Sequence, residues 1–121
     1  MSASLTNLLI LQSTAYTMSG SAPAVNVPLA VSTLAVDVNV TAVGGTSPTL
    51  ALFLERQGAD GIWYSIWAPA AVTAAGAVST SVGPGCATPA SLTGMLRLRW
   101  QLGGTTPSFT FSASVVARAM G

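Results

Sequence analysis

Seven side chains carry the formal charge of this chain, and any acid–base or ionic chemistry has to come from them: Asp37, Glu55, Asp60, Arg56, Arg97, Arg99 and Arg118. There is no histidine and no lysine, and Cys86 is the single cysteine. Without histidine the Ser-His-Asp and Cys-His nucleophile arrangements cannot be built, nor can metal sites made of histidines or paired thiolates. Glu55 and Asp60 are close in sequence and could approach each other across a tight turn. A glycosidase-type pair, however, needs one carboxyl with a raised pKa inside a cleft. Carboxylates beside an Asp-Gly turn are ordinarily solvated, and Asp60 has a sufficient local reason to be there. A calcium site from Asp37, Asp60 and backbone carbonyls is chemically open, but the chain has no dense Asp loop to make one. Cys86 lies in the loop Gly83-Pro84-Gly85-Cys86, read as a half-buried small residue rather than a reactive thiol. The expectation is a protein that is not an enzyme and holds no cofactor or metal.

Two pairs of residues could instead form a binding surface. Arg97 and Arg99 alternate with Leu96, Leu98 and Trp100, so an extended strand puts both arginines on one outward face. They are either a solvated stripe that discourages edge-to-edge aggregation or a contact for an acidic partner surface, which the planar guanidinium fork suits. Trp63 and Trp67 share a face of the strand Ile62–Trp67, as sugar-stacking aromatics do. In a two-layer protein one face of each strand is core, so at least one of the two indoles is expected inside.

The elements that would position these residues are strands. Val36, Val38 and Val40 alternate with Asp37, Asn39 and Thr41, the pattern of a half-buried antiparallel strand. Leu50, Leu52 and Leu54 form the apolar face of the next, and Asp60-Gly61 supplies a tight turn into Ile62–Trp67, with Ile62, Tyr64 and Ile66 on one face. Leu96–Val116 reads as the clearest hairpin: Leu96, Leu98, Trp100 and Leu102, a turn at Gly103-Gly104-Thr105-Thr106-Pro107, then Phe109, Phe111, Ala113 and Val115. Gly44-Gly45-Thr46-Ser47-Pro48 echoes that turn at an offset of 59 (103 minus 44). The strands after the two motifs are in phase and those before them are not, so a bulge shifts one strand or the two segments present opposite faces. The echo reads as a reused turn rather than a tandem repeat. Leu8–Leu11 is either a buried strand or a short helix. Ser13–Val27 is irregular, an arm that orders on a partner or a surface loop with a short strand near Tyr16. Residues 68–95 hold one or two weak strands and one helical turn near Pro89–Leu92. The fold class is therefore all-β, an antiparallel β-sandwich, jelly-roll-like or Greek-key, of seven or eight short strands. It is a single domain, residues 1–28 being an N-terminal arm or first strand with a loop and residues 29–121 the sandwich.

Composition narrows the partners. Charged residues make up 6% of 121, against about 25% in ordinary soluble domains. Such a surface suits a protein covered by copies of itself or by other subunits, since obligate interfaces are poor in Lys, Glu and Asp. A net charge of +1 spread over four arginines makes no phosphate-binding patch, so nucleic acid is not expected. No apolar run approaches the ~20 residues of a membrane-spanning helix, and the first cation is Arg56, so neither a transmembrane segment nor a secretory leader is expected.

Gly-Ala-Asp-Gly-Ile-Trp at 58–63, Leu-Arg-Leu-Arg-Trp at 96–100 and Gly-Gly-Thr-Thr-Pro-Ser-Phe-Thr-Phe at 103–111 together resemble small virion proteins of tailed bacteriophages. In those an Asp-Gly turn leads into a Trp strand, and an Arg-bearing strand precedes a Gly-Gly-Thr-x-Pro-x-Phe segment. The resemblance spans residues 44–118 and is greatest to capsid decoration, or cement, proteins. It implies an oligomer such as a trimer, synthesised in the host cytoplasm and seated on the capsid surface of the virion. Its partners would be the major capsid protein and further copies of itself, and Arg97, Arg99, Trp63 and Trp67 would be the candidate interface. A carbohydrate-binding or host-recognition module of a tail fibre, with a glycan on Trp63 or Trp67, is the alternative, followed by a tail-tube or connector subunit.

Overall fold

The computed structural model describes residues 3–27, 31–83, 85–89 and 94–120. Seven strands run antiparallel, and no helix occurs among the described residues: β1 (Ala3–Tyr16), β2 (Gly20–Ser21), β3 (Val25–Asn26), β4 (Val31–Gln57), β5 (Trp63–Trp67), β6 (Gly76–Val82) and β7 (Met95–Met120). The all-β antiparallel class is as the alternating pattern predicts. The expectation of uniformly short strands is not: β4 and β7 are 27 and 26 residues long and pair with each other along nearly their whole length, from Val31 opposite Ala119 to Arg56 opposite Leu96.

This two-stranded ribbon is the spine, and it folds over on itself. Trp100 and Phe111 lie on the same strand, where full extension would set them about 36 Å apart at ~3.3 Å per residue. Their rings are 5.7 Å apart. One half of the ribbon, flanked by β1 and β6, forms the first layer, and the other, flanked by β2, β3 and β5, forms the second. Leu34, Val36, Val38, Val40, Phe109, Phe111 and Val115 of the first layer meet Leu50, Leu52, Leu54, Leu96, Leu98 and Trp100 of the second in one buried cluster. Each fully buried aliphatic or aromatic side chain there contributes roughly 1.5–3 kcal/mol relative to exposure.

The fold-over occurs at the two Gly-Gly motifs, and this corrects the reading of both as hairpin turns. Neither reverses the chain. Each strand passes through its motif into the other layer, and Thr46 lies opposite Thr105. The two motifs sit side by side, related by a near-twofold axis through that pair. Gly45 and Gly104 have φ of 105° and 100°, and Ser47 and Thr106 have φ of 48° and 44°. A Cβ on Gly45 would lie 2.6 Å from the carbonyl oxygen of Thr106, and one on Gly104 2.5 Å from that of Ser47. Glycine is needed at both for the same two reasons, the left-handed backbone and the neighbouring carbonyl. Locally a corner and a turn use the same residues; what distinguishes them is the partner strand, which no local pattern encodes.

The phase mismatch before the two motifs is a bulge, one of the two readings left open by the sequence. Val40 lies opposite Phe111 and Ala42 opposite Thr110, so Thr41 is an extra residue. Its hydroxyl donates to the Thr110 carbonyl at 3.3 Å. With that residue inserted, Val36, Val38 and Val40 take the positions that Leu96, Leu98 and Trp100 take in the other layer.

The N-terminal segment is the first strand of the sheet. β1 pairs with β7 from Ala3 opposite Met120 to Tyr16 opposite Phe109. The stretch read as irregular then crosses layers and pairs with β7 again through β2 and β3. Trp100 holds this crossing: its indole N–H donates to the Met18 carbonyl at 3.0 Å, and the Ser19 hydroxyl accepts from the Leu102 amide at 2.9 Å. The boundary at residue 28 and most of the helical turn near Pro89–Leu92 lie outside the described residues.

Candidate functional site: an arginine–aromatic patch on the second layer

On the outer face of the second layer the β4–β7 register sets Glu55 directly opposite Arg97, and Phe53 opposite Arg99. The Glu55 carboxylate accepts from both arginines, from Arg97 Nε at 2.8 Å on Oε1 and from Arg99 Nε at 3.2 Å on Oε2. Glu55 is 6% exposed, a buried carboxylate held by two charge-assisted hydrogen bonds. The arginine side chains are more open, at 26% and 34%. Each guanidinium also lies over an aromatic ring, Arg97 at 4.3 Å from the Trp63 centroid and Arg99 at 4.1 Å from that of Phe53. Such cation–π contacts add about 0.5–2 kcal/mol each and fix the planes of the guanidinium groups. Two cations on one carboxylate leave the cluster with a net charge of +1, and both arginines are half-open to solvent.

Arg97, Arg99 and Trp63 thus come together, while Trp67 does not join them. Leu54 lies opposite Trp67 and Glu55 opposite Ser65, so Ile66 is an extra residue and the alternation switches within β5. Trp67 turns to the core side and packs against the buried cluster. The expected shared face of Trp63 and Trp67 is therefore broken, and the Trp63 ring is already covered by Arg97. The pair of open, aligned rings that a glycan platform would need is not formed.

Sequence reasoning missed Phe53 and Glu55 as members of this patch. Period-two counting puts both on the outward face of their strand, but their arginine partners are more than forty residues away. Glu55 and Asp60 do not approach as a carboxylate pair; each has its own partners. Asp60 accepts from the Ile62 amide at 3.0 Å and from the Tyr64 hydroxyl at 2.6 Å. The Tyr64 hydrogen bond, aided by the Ile62 amide, lowers the Asp60 pKa below its usual 3.8, and the same bond raises Tyr64 above 10.0.

The outer face of the first layer is different in kind. A shallow groove of about 350 Å³ crosses it, with Leu11, Val38 and Val78 among its lining residues and with Ile10, Asp37, Asn39, Ser79, Ser112 and Ser114 on the outward positions of the strands. Apart from Ile10 these outward residues are small or polar, and no ring lies in the groove.

The two-layer, folded-ribbon, all-β architecture is the class to which the chain can be assigned. No protein-family model matches it, and no curated protein matches it. Among solved structures it is similar to a chain in the structure of infectious bursal disease virus, Gx strain, with a TM-score of 0.56 at 14% identity. That match covers 100% of this chain but 34% of the viral chain, so the present chain spans about a third of its neighbour. The likeness is one of fold. A second, weaker match is to the crystal structure of FLHE, with a TM-score of 0.37 at 10% identity, covering 98% of this chain and 95% of that one.

Proposed function

We propose that the protein is a non-enzymatic structural component of a virion, a decoration protein that seats on the head shell and binds the major capsid protein and copies of itself. The observation that carries the reading is the Glu55–Arg97–Arg99 patch with its Trp63 and Phe53 supports. In a chain with seven charged side chains, three are gathered on one outer sheet face and locked in orientation before any partner arrives. Preorganised arginines over aromatic rings suit an acidic partner surface, because little side-chain freedom is left to lose on binding. The sharing of a fold with a chain from a virus structure supports the same reading. Many weakly bound copies on a shell act together, so each needs only modest affinity. The proposed contact is made by Arg97, Arg99 and Trp63; the Trp67 ring packs against the buried cluster and takes no part in it.

The test is binding to preformed heads of the parent virus, read by co-sedimentation, together with light scattering of the free protein. Association with heads, an oligomer such as a trimer in solution, and loss of at least tenfold in head affinity for R97A/R99A with the sheet signal retained are expected. A clean monomer with no affinity for heads overturns the proposal.

A further inference from the structure

The six strand ladders share one property: each joins a strand before the Gly58–Ile62 turn to a strand after it. β1, β2 and β3 pair with β7, and β4 pairs with β5, β6 and β7. Among the described residues no named strand pairs within its own half; an isolated bridge from Val82 to Thr88 is the one internal pairing. The roles also correspond. β1 lies outside the later part of β7 as β5 lies outside the later part of β4, and β2 and β3 lie outside the earlier part of β7 as β6 lies outside the earlier part of β4. The offset of 59 superposes the Gly-Gly motifs, and Thr46 faces its own counterpart, Thr105.

From this we infer that the chain consists of two like half-units interlocked about the corner, and that the surface of either half is built to receive the complementary half of any copy of this chain. The echo is thus more than a reused turn. A half on its own has no ladder to form, so its apolar face is an interface rather than a core. What makes the pairing internal is the turn between the halves. There the Gly58 amide donates to the Ile62 carbonyl at 2.8 Å, the Gly61 amide to Gly58 at 3.0 Å, and Gln57 Nε2 to the Gly61 carbonyl at 3.1 Å, with Asp60 capping the Ile62 amide. While this turn is closed, the complementary half of the same chain is always at high effective concentration. If the turn cannot close, the same ladders form between two copies, which is exchange of halves.

The experiment starts from the full-length folded protein carrying a protease recognition sequence between Ala59 and Asp60. After cleavage the two pieces are expected to remain one particle of unchanged mass and sheet signal. Separated in denaturant, each is expected to lack a sheet signal, and mixing them one to one is expected to restore it. A second variant, with Gly58 to Ile62 deleted so that Gln57 joins Trp63 and no glycine is left to supply the positive φ of a tight hairpin, is expected to run at twice the subunit number of the parent with the same sheet content. Pieces that part in native buffer after cleavage, a single half that melts cooperatively as a monomer, or a deletion variant that folds with the parent's subunit number would each overturn the inference.

Discussion

The two outer faces of the molecule are built on nearly equivalent backbones and carry opposite kinds of side chain. Across the first layer, Ser112, Ser114, Asp37, Asn39 and Ser79 make a low, hydroxyl-rich face around a shallow groove. Across the second, Glu55, Arg97, Arg99, Phe53 and Trp63 make an interlocked patch. The inward faces obey a common rule, with Val36, Val38 and Val40 answering Leu96, Leu98 and Trp100. Burial constrains inward positions to apolar residues of compatible volume in both layers. Outward positions carry no such constraint, so the two outer faces are free to differ while the inner ones are not.

The largest effect expected is one that the two layers share. Gly45→Ala and Gly104→Ala each force a Cβ into the opposing carbonyl and a side chain onto a left-handed backbone. Each should cost about 2–4 kcal/mol, and the two should agree closely, as read by denaturant unfolding. A large inequality would break the near-twofold equivalence of the corner. The comparison sharpens with carboxylate removal. Glu55→Gln leaves Arg97 and Arg99 side by side without their shared anion and should cost about 2–3 kcal/mol, discounted from the fully buried case because both guanidinium groups reach solvent. Asp37→Asn, on the exposed face of the first layer, should change stability by no more than about 0.5 kcal/mol. Equal losses at the two positions would show that the patch is no more structured than the groove.

The strands themselves were legible in the sequence because period-two alternation reports burial directly, and Val36 to Val40, Leu50 to Leu54 and Phe109 to Phe111 all fall where it places them. The absent parts were those set by register. Gly-Gly-Thr-x-Pro announces a left-handed backbone and an end to alternation, which a hairpin turn and a corner both need; only the distant partner strand tells them apart. Single inserted residues, Thr41 and Ile66, reverse the face of everything beyond them, and nothing in their side chains marks them as extra. For that reason the patch was half visible. Arg97 and Arg99 could be placed outward, but Glu55 and Phe53 become their partners only once β4 is aligned against β7, and Trp67 leaves the patch only once β5 slips by one.

The smallest effect expected lies at the turn between the halves, and it bears on the second layer alone. Asp60 accepts from the Tyr64 hydroxyl, which stabilises the carboxylate and holds the Asp60 pKa below the usual 3.8. A depressed native pKa means that the unfolded chain binds more protons than the folded one over that interval, so stability falls as pH falls. The contribution is therefore intact above the ordinary carboxylate value and disappears as the pH drops through the lowered one. At the other extreme the same bond raises Tyr64, so a second decline is expected as the pH rises beyond 10.0. Both groups are open to solvent, and the two slopes should be shallow. Tyr64→Phe removes the donor, so melting temperatures measured between pH 2 and pH 5 should vary less steeply in the variant than in the parent, and the alkaline decline should shrink to the part that comes from Tyr16, which burial also raises above 10.0. If the variant keeps the parent's acid slope, the Asp60–Tyr64 bond is not the source of that slope, and the turn does not distinguish the two layers.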